Sequence, residues 1–402
     1  MKKLPKQYKF TRAILISIFL ALFTLVLSCA KPALAQDRIF LDLSLDFLNE
    51  YKLPKRDFLE APIGEISAIT YDRRGDHFIA VCDDPSQEAP SRFYTLNIAV
   101  DSTIKEKIGI QKVDIESVTF LTDQNGQKYD KGVIAPKGIA ITPERTIFIS
   151  GSATDGQIVP SVQEFDINSG RMLQSLPIPK HYLTNVVDPN ESTLNIQQTS
   201  AFESLTFNPT GTIPTSGEPI NLFTATFSPL VQDREPPNSE NPAKVRLLHY
   251  LIGYGAPVLI AEYFYSLDPT LGNANGLVEL ISIDQGGHFL SLESSKNQLD
   301  QSAKIFQITT GGATDTSRIN SLKGEIKGIK PVKKKLLLDL NELGVPLSNV
   351  QGMALGSRLA DGTQSLILVG NDNFNNQQTT QFLLFRLNKF NNRGTTLRLL
   401  QK

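Results

Sequence analysis

Apolar and polar positions alternate in short runs along most of the chain. From residue 36 onwards these runs are rich in Ile, Val, Phe, Tyr and Thr, and each is bounded by Gly, Pro, Asn or Asp. A period of two is typical of half-buried strands, whereas amphipathic helical periodicity is hard to find in the same region. The pattern therefore predicts an all-β protein.

The predicted strands recur as a three-part unit. An opening strand holds a small residue followed by an apolar one, a second strand ends in small or polar residues, and a third strand carries an aromatic residue. The opening strands begin EISAITYD at Glu65, PKGIAITPE at Pro136, FESLTFNP at Phe202, GLVELISID at Gly276 and VQGMALGS at Val350. A β-sandwich would not explain this recurrent order, but a β-propeller blade would.

The number of blades depends on how the ring closes between the termini. We predict six blades, with five or seven as alternatives, because the ring closure leaves no clear motif in the sequence. Two further strands, near Ile39 and near Thr395, are candidates for closing the ring.

The first 35 residues have a different composition from the rest. Basic residues between Lys2 and Arg12 precede an apolar run from Ala13 to Leu27, and Ala33-Leu34-Ala35 precedes Gln36. This is the layout of a secretory signal. We therefore predict a signal peptide at 1–35 and a propeller domain at 36–402, exported to the periplasm or beyond. An uncleaved anchor and a lipoprotein acylated at Cys29 are alternatives, and only these would place the protein at a membrane.

Charge and cysteine content limit the partners and the covalent cross-links that the mature chain can have. Removing residues 1–35 takes away six of the 40 basic residues and none of the 41 acidic ones, which leaves a net charge of −7. No basic patch indicates a nucleic-acid partner. Cys82 is the one cysteine of the mature chain, so an intrachain disulfide is excluded. We expect a monomer that is stabilised by packing alone.

Several carboxylates lie where strands begin or end. If the opening strands are innermost, Glu65, Lys137, Glu203 and Gln351 reach one rim of the central channel. The ends of the second strands would lie nearby, namely Asp83, Asp84, Glu293 and Asp372. Carboxylates gathered around an axis repel one another unless a cation or shared protons compensate, which predicts either a divalent metal site or a set of shifted acids. The alternative is that each acid only forms a turn.

Two arginines occupy matching starts of third strands, Arg92 in SRFY and Arg246 in VRLLHY. They could bind a phosphate through a bidentate fork, or pair with a neighbouring acid. The sequence contains no G-x-S-x-G, Walker, H-E-x-x-H or C-x-x-C motif, and its four histidines are scattered. A zinc site or a nucleophilic triad is therefore disfavoured, and oxygen-ligand chemistry remains.

Longer stretches of the chain resemble a known family. ISAITYD with FIAVCDDPSQ, AFESLTFNPTG, FLSLESS, GGATDTSRINSL and the closing NVQGMALGSRLADGTQSLILVGNDNF resemble the proteins described as "esterase-like activity of phytase", which are exported bacterial proteins frequent in cyanobacteria. The resemblance covers nearly all of the mature chain. It implies a propeller fold and a phosphoesterase activity, by analogy with calcium-dependent propeller phytases. The matching positions are Asp83, Asp84, Glu203, Glu293, Asp315 and Asp372.

From these positions we predict a calcium-dependent hydrolase of a phosphomonoester or phosphodiester. Asp83, Asp84, Glu203 and Asp372 would hold the metal; Glu203, Glu293 and Asp372 would act in catalysis; and Arg92 and Arg246 would bind the substrate. The sequence also departs from the family pattern, because Lys137, Phe227 and Gln351 stand where acids are usual. A non-catalytic binding or scaffold propeller is therefore the alternative, and a lactonase-type propeller hydrolase is a third interpretation.

Overall fold

The computed structural model describes residues 39–55, 57–58, 61–101, 108–154, 158–183, 202–209, 218–235, 242–253, 255–269, 275–295, 301–372, 374 and 379–389. The chain divides into two units, Met1–Leu41 and Asp42–Lys402. The predicted signal peptide and Cys29 lie outside the described residues. Among those residues, no helix has the length and apolar character needed to span a membrane.

Five antiparallel four-stranded sheets contain 20 of the 22 described strands. The chain begins with β1 (Leu43–Lys52), which belongs to the last of these sheets, and with a short hairpin of β2 (Asp57–Phe58) and β3 (Ala61–Pro62). The first sheet contains β4 (Ile66–Asp72), β5 (His77–Cys82), β6 (Arg92–Asp101) and β7 (Gly109–Phe120). The second contains β8 (Ile134–Ile141), β9 (Thr146–Thr154), β10 (Ile158–Asp166) and β11 (Met172–Ser175).

The remaining sheets repeat this arrangement. The third contains β12 (Phe202–Phe207), β13 (Ile220–Thr226), β14 (Lys244–Ile252) and β15 (Val258–Ser266). The fourth contains β16 (Asn275–Ser282), β17 (His288–Ser295), β18 (Ser302–Thr309) and β19 (Lys333–Asp339). The fifth contains β20 (Asn349–Arg358), β21 (Gln364–Asn371) and β22 (Gln381–Lys389), together with β1. A short helix at Lys180–Leu183 and 3-10 turns at Val231–Asp233 and Leu340–Leu343 lie between strands.

The described residues thus form a β-propeller of five blades. The predicted number of six was wrong, and the alternative of five is what the structure has. The reason lies in β1, which pairs along its length with β22 and so becomes the outermost strand of the fifth blade. The strand near Ile39 therefore completes an existing blade and adds none. The segment near Thr395 lies outside the described residues.

The opening strands predicted from the sequence are the innermost ones. β4, β8, β12, β16 and β20 each form one edge of their sheet, and each contacts the next around the ring. All five contain a register shift at the same level, between Ile66/Ala68, Pro136/Ile139, Phe202/Ser204, Leu277/Glu279 and Val350/Gly352. The extra residue of such a bulge leaves the pairing ladder and turns its side chain aside.

Small residues at this level allow the inner strands to approach one another. A Cβ atom on Gly138 would lie 2.5 Å from the Ser150 hydroxyl oxygen and 2.6 Å from the carbonyl oxygen of Glu203 on the next blade. A Cβ atom on Gly352 would lie 3.0 Å from the Cα atom of Ala68. The taper of the ring therefore requires glycine where two strands nearly touch.

We expect Gly138→Ala to lower the free energy of unfolding by about 1–3 kcal/mol, because the added methyl group meets backbone that cannot move without opening the ring. Urea unfolding would measure the change. Gly253→Ala is the matched control, since its Cβ would stand at an ordinary 3.4 Å from Pro219. Equal unfolding midpoints for the two variants would contradict the close approach of blades two and three.

Apolar side chains fill the space between neighbouring blades. Between the second and third blades, for example, Phe148, Phe202, Leu222 and Leu248 are completely buried in one cluster. Burial of large side chains on both faces of each sheet explains why the strands read as nearly continuous apolar runs. This packing fixes the blades and so fixes the residues at the two ends of the channel.

Candidate functional site

The channel end where the inner strands begin gathers ionisable and amide side chains from four blades. We call this group the acidic rim. Its members are Glu65, Asp83, Lys137, Glu203, Gln351, Asn371 and Asp372. Three different local features present them: strand starts, strand ends and the bulges of the inner strands.

A lysine forms the cationic part of the acidic rim. Lys137 Nζ pairs with the carboxylate of Asp83, which follows β5 directly, and the two side chains are 10% and 15% exposed. The Ser67 hydroxyl donates to the carbonyl oxygen of Lys137 at 2.7 Å and so ties this bulge to the first blade. Burial lowers the pKa of Lys137, but Asp83, Glu203 and Glu65 raise it by more, so the net shift is upward. Lys137 is therefore held as an ammonium ion among carboxylates.

Glu65 is the titratable acid of this group. Its backbone has φ 50, in the left-handed region that costs a non-glycine residue free energy. Its carboxylate accepts a hydrogen bond from Asn371 Nδ2 at 2.9 Å. Burial, followed by the charge of Asp83, raises the pKa of Glu65 to about 7, while Asn371 and Lys137 oppose the shift. Glu65 can therefore take up or release a proton near neutral pH.

Asp372 supports the strained backbone of Glu65. One oxygen of Asp372 accepts from the Glu65 N–H at 3.0 Å and from the Phe374 N–H at 3.2 Å. The second bond spans two residues and is the local turn that an aspartate commonly forms. The first bond joins the fifth blade to the first. Asp372 is thus a turn former and also positions the acid of the neighbouring blade.

One buried acid near the axis of the channel was not predicted from the sequence. Glu279 is 2% exposed, and burial raises its pKa well above the usual value although backbone N–H groups of Leu280, Leu205 and Met353 bond to it. It follows the bulge of β16 directly, at the level where the other inner strands carry Ala68, Gly138, Ser204 or Gly352. The signal was present in GLVELISID, the one opening strand with a glutamate instead of a small residue.

The two arginines predicted to bind substrate are completely buried in ion pairs. Arg92 Nη1 lies 2.8 Å from Asp84, whose carboxylate also accepts from the N–H groups of Gln87 and Ala89. Arg246 donates two bonds to Asp233, at 2.6 and 2.9 Å, and pairs with Glu262. In the structure, each arginine pairs with a neighbouring acid, as the alternative interpretation predicted. Asp84 accordingly belongs to a structural pair.

Glu293, predicted to be catalytic, is directed to another part of the molecule. Its carboxylate accepts from the Tyr265 hydroxyl, from Lys334 Nζ at 2.6 Å and from the Asp268 N–H at 2.7 Å. Tyr265 belongs to β15 and Lys334 to β19, which are outermost strands of their blades. Among the described contacts, none joins Glu293 to the acidic rim. Asp315 accepts from the N–H groups of Glu262 and Ser317 and forms a turn.

The comparison with protein families identifies the chain. A family model described as "Phytase-like: Esterase-like activity of phytase" matches residues 61–374. The chain belongs to the phytase-like family. Among the curated proteins, none matches it.

The solved structures whose chains follow a similar course have low sequence identity and a low TM-score to this chain. They include a protein from a study of GH130 mannoside phosphorylases and hydrolases (8% identity, 85% of this chain, 94% of that chain, TM-score 0.40). A GH43 β-1,3-galactosidase is a second (9% identity, 82% of this chain, 92% of that chain, TM-score 0.39). A glycosyl hydrolase from Bacteroides ovatus is a third (9% identity, 87% of this chain, 94% of that chain, TM-score 0.37). Similarity at this level carries no information about the chemistry of the phytase-like chain.

The acidic rim does not fit the calcium ion that the phytase-like family suggested. Lys137 already supplies a cation to Asp83, Asp372 is engaged by backbone N–H groups, and burial raises the pKa of Glu65 to about 7. A divalent ion placed there would also be repelled by the ammonium group. Within the described ranges, no group of three or more His, Cys, Asp or Glu residues could hold a metal ion.

The raised pKa of Glu65 predicts a pH dependence of stability. The folded chain retains a proton at Glu65 that the unfolded chain releases above its ordinary pKa of 4.5. The stabilisation from this group is therefore complete below pH 4.5 and is lost as the pH rises through about 7. Glu65→Gln removes the ionisable group and should flatten the fall in unfolding free energy across this window.

Urea unfolding at several pH values would measure the slope for the wild type and for Glu65→Gln. Glu116→Gln, at an exposed glutamate of β7, is the matched control and should keep the wild-type slope. The same pH dependence in all three proteins would contradict the protonation of Glu65 near neutrality.

Proposed function

We propose that this phytase-like chain hydrolyses an ester at the acidic rim by acid–base catalysis, with Lys137 in place of a metal ion. One observation carries the proposal. A glutamate with a pKa of about 7, on a strained backbone, lies beside a lysine–aspartate ion pair at the mouth of a propeller channel. Perturbed acids and backbone strain both concentrate at sites of chemistry.

The roles follow from charge and proton occupancy. Protonated Glu65 can give its proton to the leaving group, because a general acid works best when its pKa is close to the working pH. The carboxylate of Glu203, whose charge acts on Lys137, can take the proton of the attacking water. Lys137 can stabilise the negative charge that develops on the carbonyl or phosphoryl oxygen. Asp83 and Asp372 hold Lys137 and Glu65 in place.

The charge of the acidic rim restricts the substrate. The rim contains three further carboxylates, Asp83, Glu203 and Asp372, and one ammonium group, so it is net negative even when Glu65 is protonated. A doubly charged phosphomonoester would be repelled unless a metal ion compensated. An uncharged carboxylic ester or a singly charged phosphodiester meets less repulsion. We therefore propose an ester that carries at most one negative charge.

The non-catalytic alternative is favoured by one specific observation. Asp83 is paired with Lys137, and Glu65 is bonded to Asn371, which also donates to Gln351 at 3.1 Å. A rim whose groups satisfy one another could serve only to close the ring at this end. Turnover decides between the two functions.

The test is hydrolysis of three p-nitrophenyl substrates in the presence of a calcium chelator: p-nitrophenyl acetate, bis(p-nitrophenyl) phosphate and p-nitrophenyl phosphate. We expect turnover of the first, the second or both, at a rate that chelation leaves unchanged and that Lys137→Met lowers. Export from the cytoplasm, which the predicted signal peptide implies, would bring the site to extracellular or periplasmic esters. Turnover only after calcium is added would refute the role of Lys137, and no turnover of any substrate would favour the non-catalytic propeller.

A further inference from the structure

A cavity lies at the opposite end of the channel, where the inner strands end. Its volume is about 450 Å³. Every blade contributes to its wall, through residues such as Thr70, Ala140, Leu205, Ile281 and Met353. Its size, and a wall that combines apolar and polar side chains, are those of a small-molecule site.

Glu279 separates this cavity from the acidic rim. The N–H groups of Leu205 and Met353, two residues that line the cavity, bond to the carboxyl group of Glu279. The bonds cross from β16 to β12 on one side and to β20 on the other. The two ends of the channel are therefore distinct places, and a ligand of the cavity need not be a substrate of the rim.

The charged residues around the cavity are mainly arginines. Arg73 and Arg74 come from the turn between β4 and β5, and Arg145 comes from the turn between β8 and β9. Asp72 is the one acid that lines the described cavity. Three guanidinium groups and one carboxylate line the cavity itself, while Asp76 and Glu144 lie in the same two turns outside its lining. A ligand inside the cavity therefore meets more cationic than anionic side chains.

Arg145 is held in a fixed position at the cavity. Its backbone has φ 64, and its Nη2 atom lies 2.8 Å from Asp72. Asp72 is itself anchored, since its other oxygen accepts from the Arg74 N–H at 2.9 Å. The Nε atom of Arg145 is buried and has no hydrogen-bond acceptor among the described residues. A buried donor without an acceptor is costly. The rest of the Arg145 side chain, which is 40% exposed, is the part that an oxyanion in the cavity can reach.

We infer that the cavity binds a small organic oxyanion, with its carboxylate or phosphonate at Arg145 and its apolar body against the inner strands. The apolar residues of the wall suit the body of such a ligand, and the arginines suit its charged group. This site is independent of the ester hydrolysis proposed for the acidic rim, and either can fail without the other.

Calorimetric titration of the purified protein with benzoate, with phenylphosphonate and with uncharged benzyl alcohol tests the inference. The first two probes distinguish a carboxylate from a phosphonate head. We expect saturable binding of at least one of the two anions at millimolar concentration and weaker or no binding of benzyl alcohol. Equal binding of benzyl alcohol, or no saturable binding of either anion, would overturn the site.

Two variants locate the binding. Arg145→Asn removes the guanidinium and suits the left-handed backbone, so it should weaken anion binding about tenfold or more. Arg74→Gln, at an exposed position, should weaken binding by a smaller factor and serves if Arg145→Asn fails to fold. Arg171→Gln, at an exposed arginine outside the cavity, is the matched control. Equal affinity in all variants, or a loss caused instead by Lys137→Met at the acidic rim, would refute the inference.

Discussion

Arg246→Met should lower the free energy of unfolding by about 3–5 kcal/mol, the largest stability loss we expect from a single substitution in this chain. Arg246 is completely buried between Asp233 and Glu262, and the substitution leaves both carboxylates in the core without their cation. His181 and Tyr182 also bond to Glu262, so the disturbance reaches the segment that precedes the third blade.

Urea or thermal unfolding measures this loss. Arg386→Met is the matched control, because Arg386 pairs with Asp46 and Asp361 at a partly exposed position and its removal should cost about 1 kcal/mol or less. Any folded fraction of Arg246→Met should retain the chemistry of the acidic rim. If the two variants were destabilised equally, the buried pair would not have the importance that its burial implies.

Lys137→Met should reduce kcat/KM for the proposed ester hydrolysis about 100-fold, the loss expected when one charged donor to the developing oxyanion is removed. Without the ammonium group, the pKa of Glu65 should also rise, because Lys137 is one of the two influences that lower it. The alkaline limb of the pH–rate profile should therefore move to higher pH. A merely structural role for Lys137 would lower stability but would not move this limb.

Lys137→Arg is the conservative control for this prediction. An arginine keeps the positive charge, so the variant should retain more activity than Lys137→Met and should leave the pH–rate profile close to that of the wild type. Loss of activity in Lys137→Arg equal to that in Lys137→Met, with an unmoved pH profile in both, would contradict the electrostatic role.

The features of the fold that depend on local sequence patterns were predictable from the sequence. Alternation predicted strands, and Ser67, Gly138 and Gly352 marked opening strands because small residues allow most of the inner strands to converge. The blade number was not predictable in the same way. Closure depends on the pairing of Leu43 with Lys389 across the whole chain, and no local signal encodes that pairing.

The site was predictable only in part, because a residue's chemistry depends on partners that are distant in the sequence. Carboxylates at strand ends suggested a compensating cation, and the sequence offered calcium as well as shifted acids. Arg246 pairs with acids 13 and 16 residues away, and their burial was invisible to a strand pattern. Burial raises the pKa of Glu279, and the backbone N–H groups of Leu205 and Met353 that oppose this shift come from strands distant in the sequence.

Calorimetric titration of the wild type and of Lys137→Glu with calcium tests the central claim that Lys137 is the cation of the acidic rim. The account predicts no saturable calcium binding by the wild type at millimolar concentration. It predicts measurable binding by Lys137→Glu, where a carboxylate replaces the ammonium group beside Asp83 and Glu203. Saturable binding by the wild type, accompanied by a raised melting temperature, would contradict the account and would restore calcium as the cation of this site.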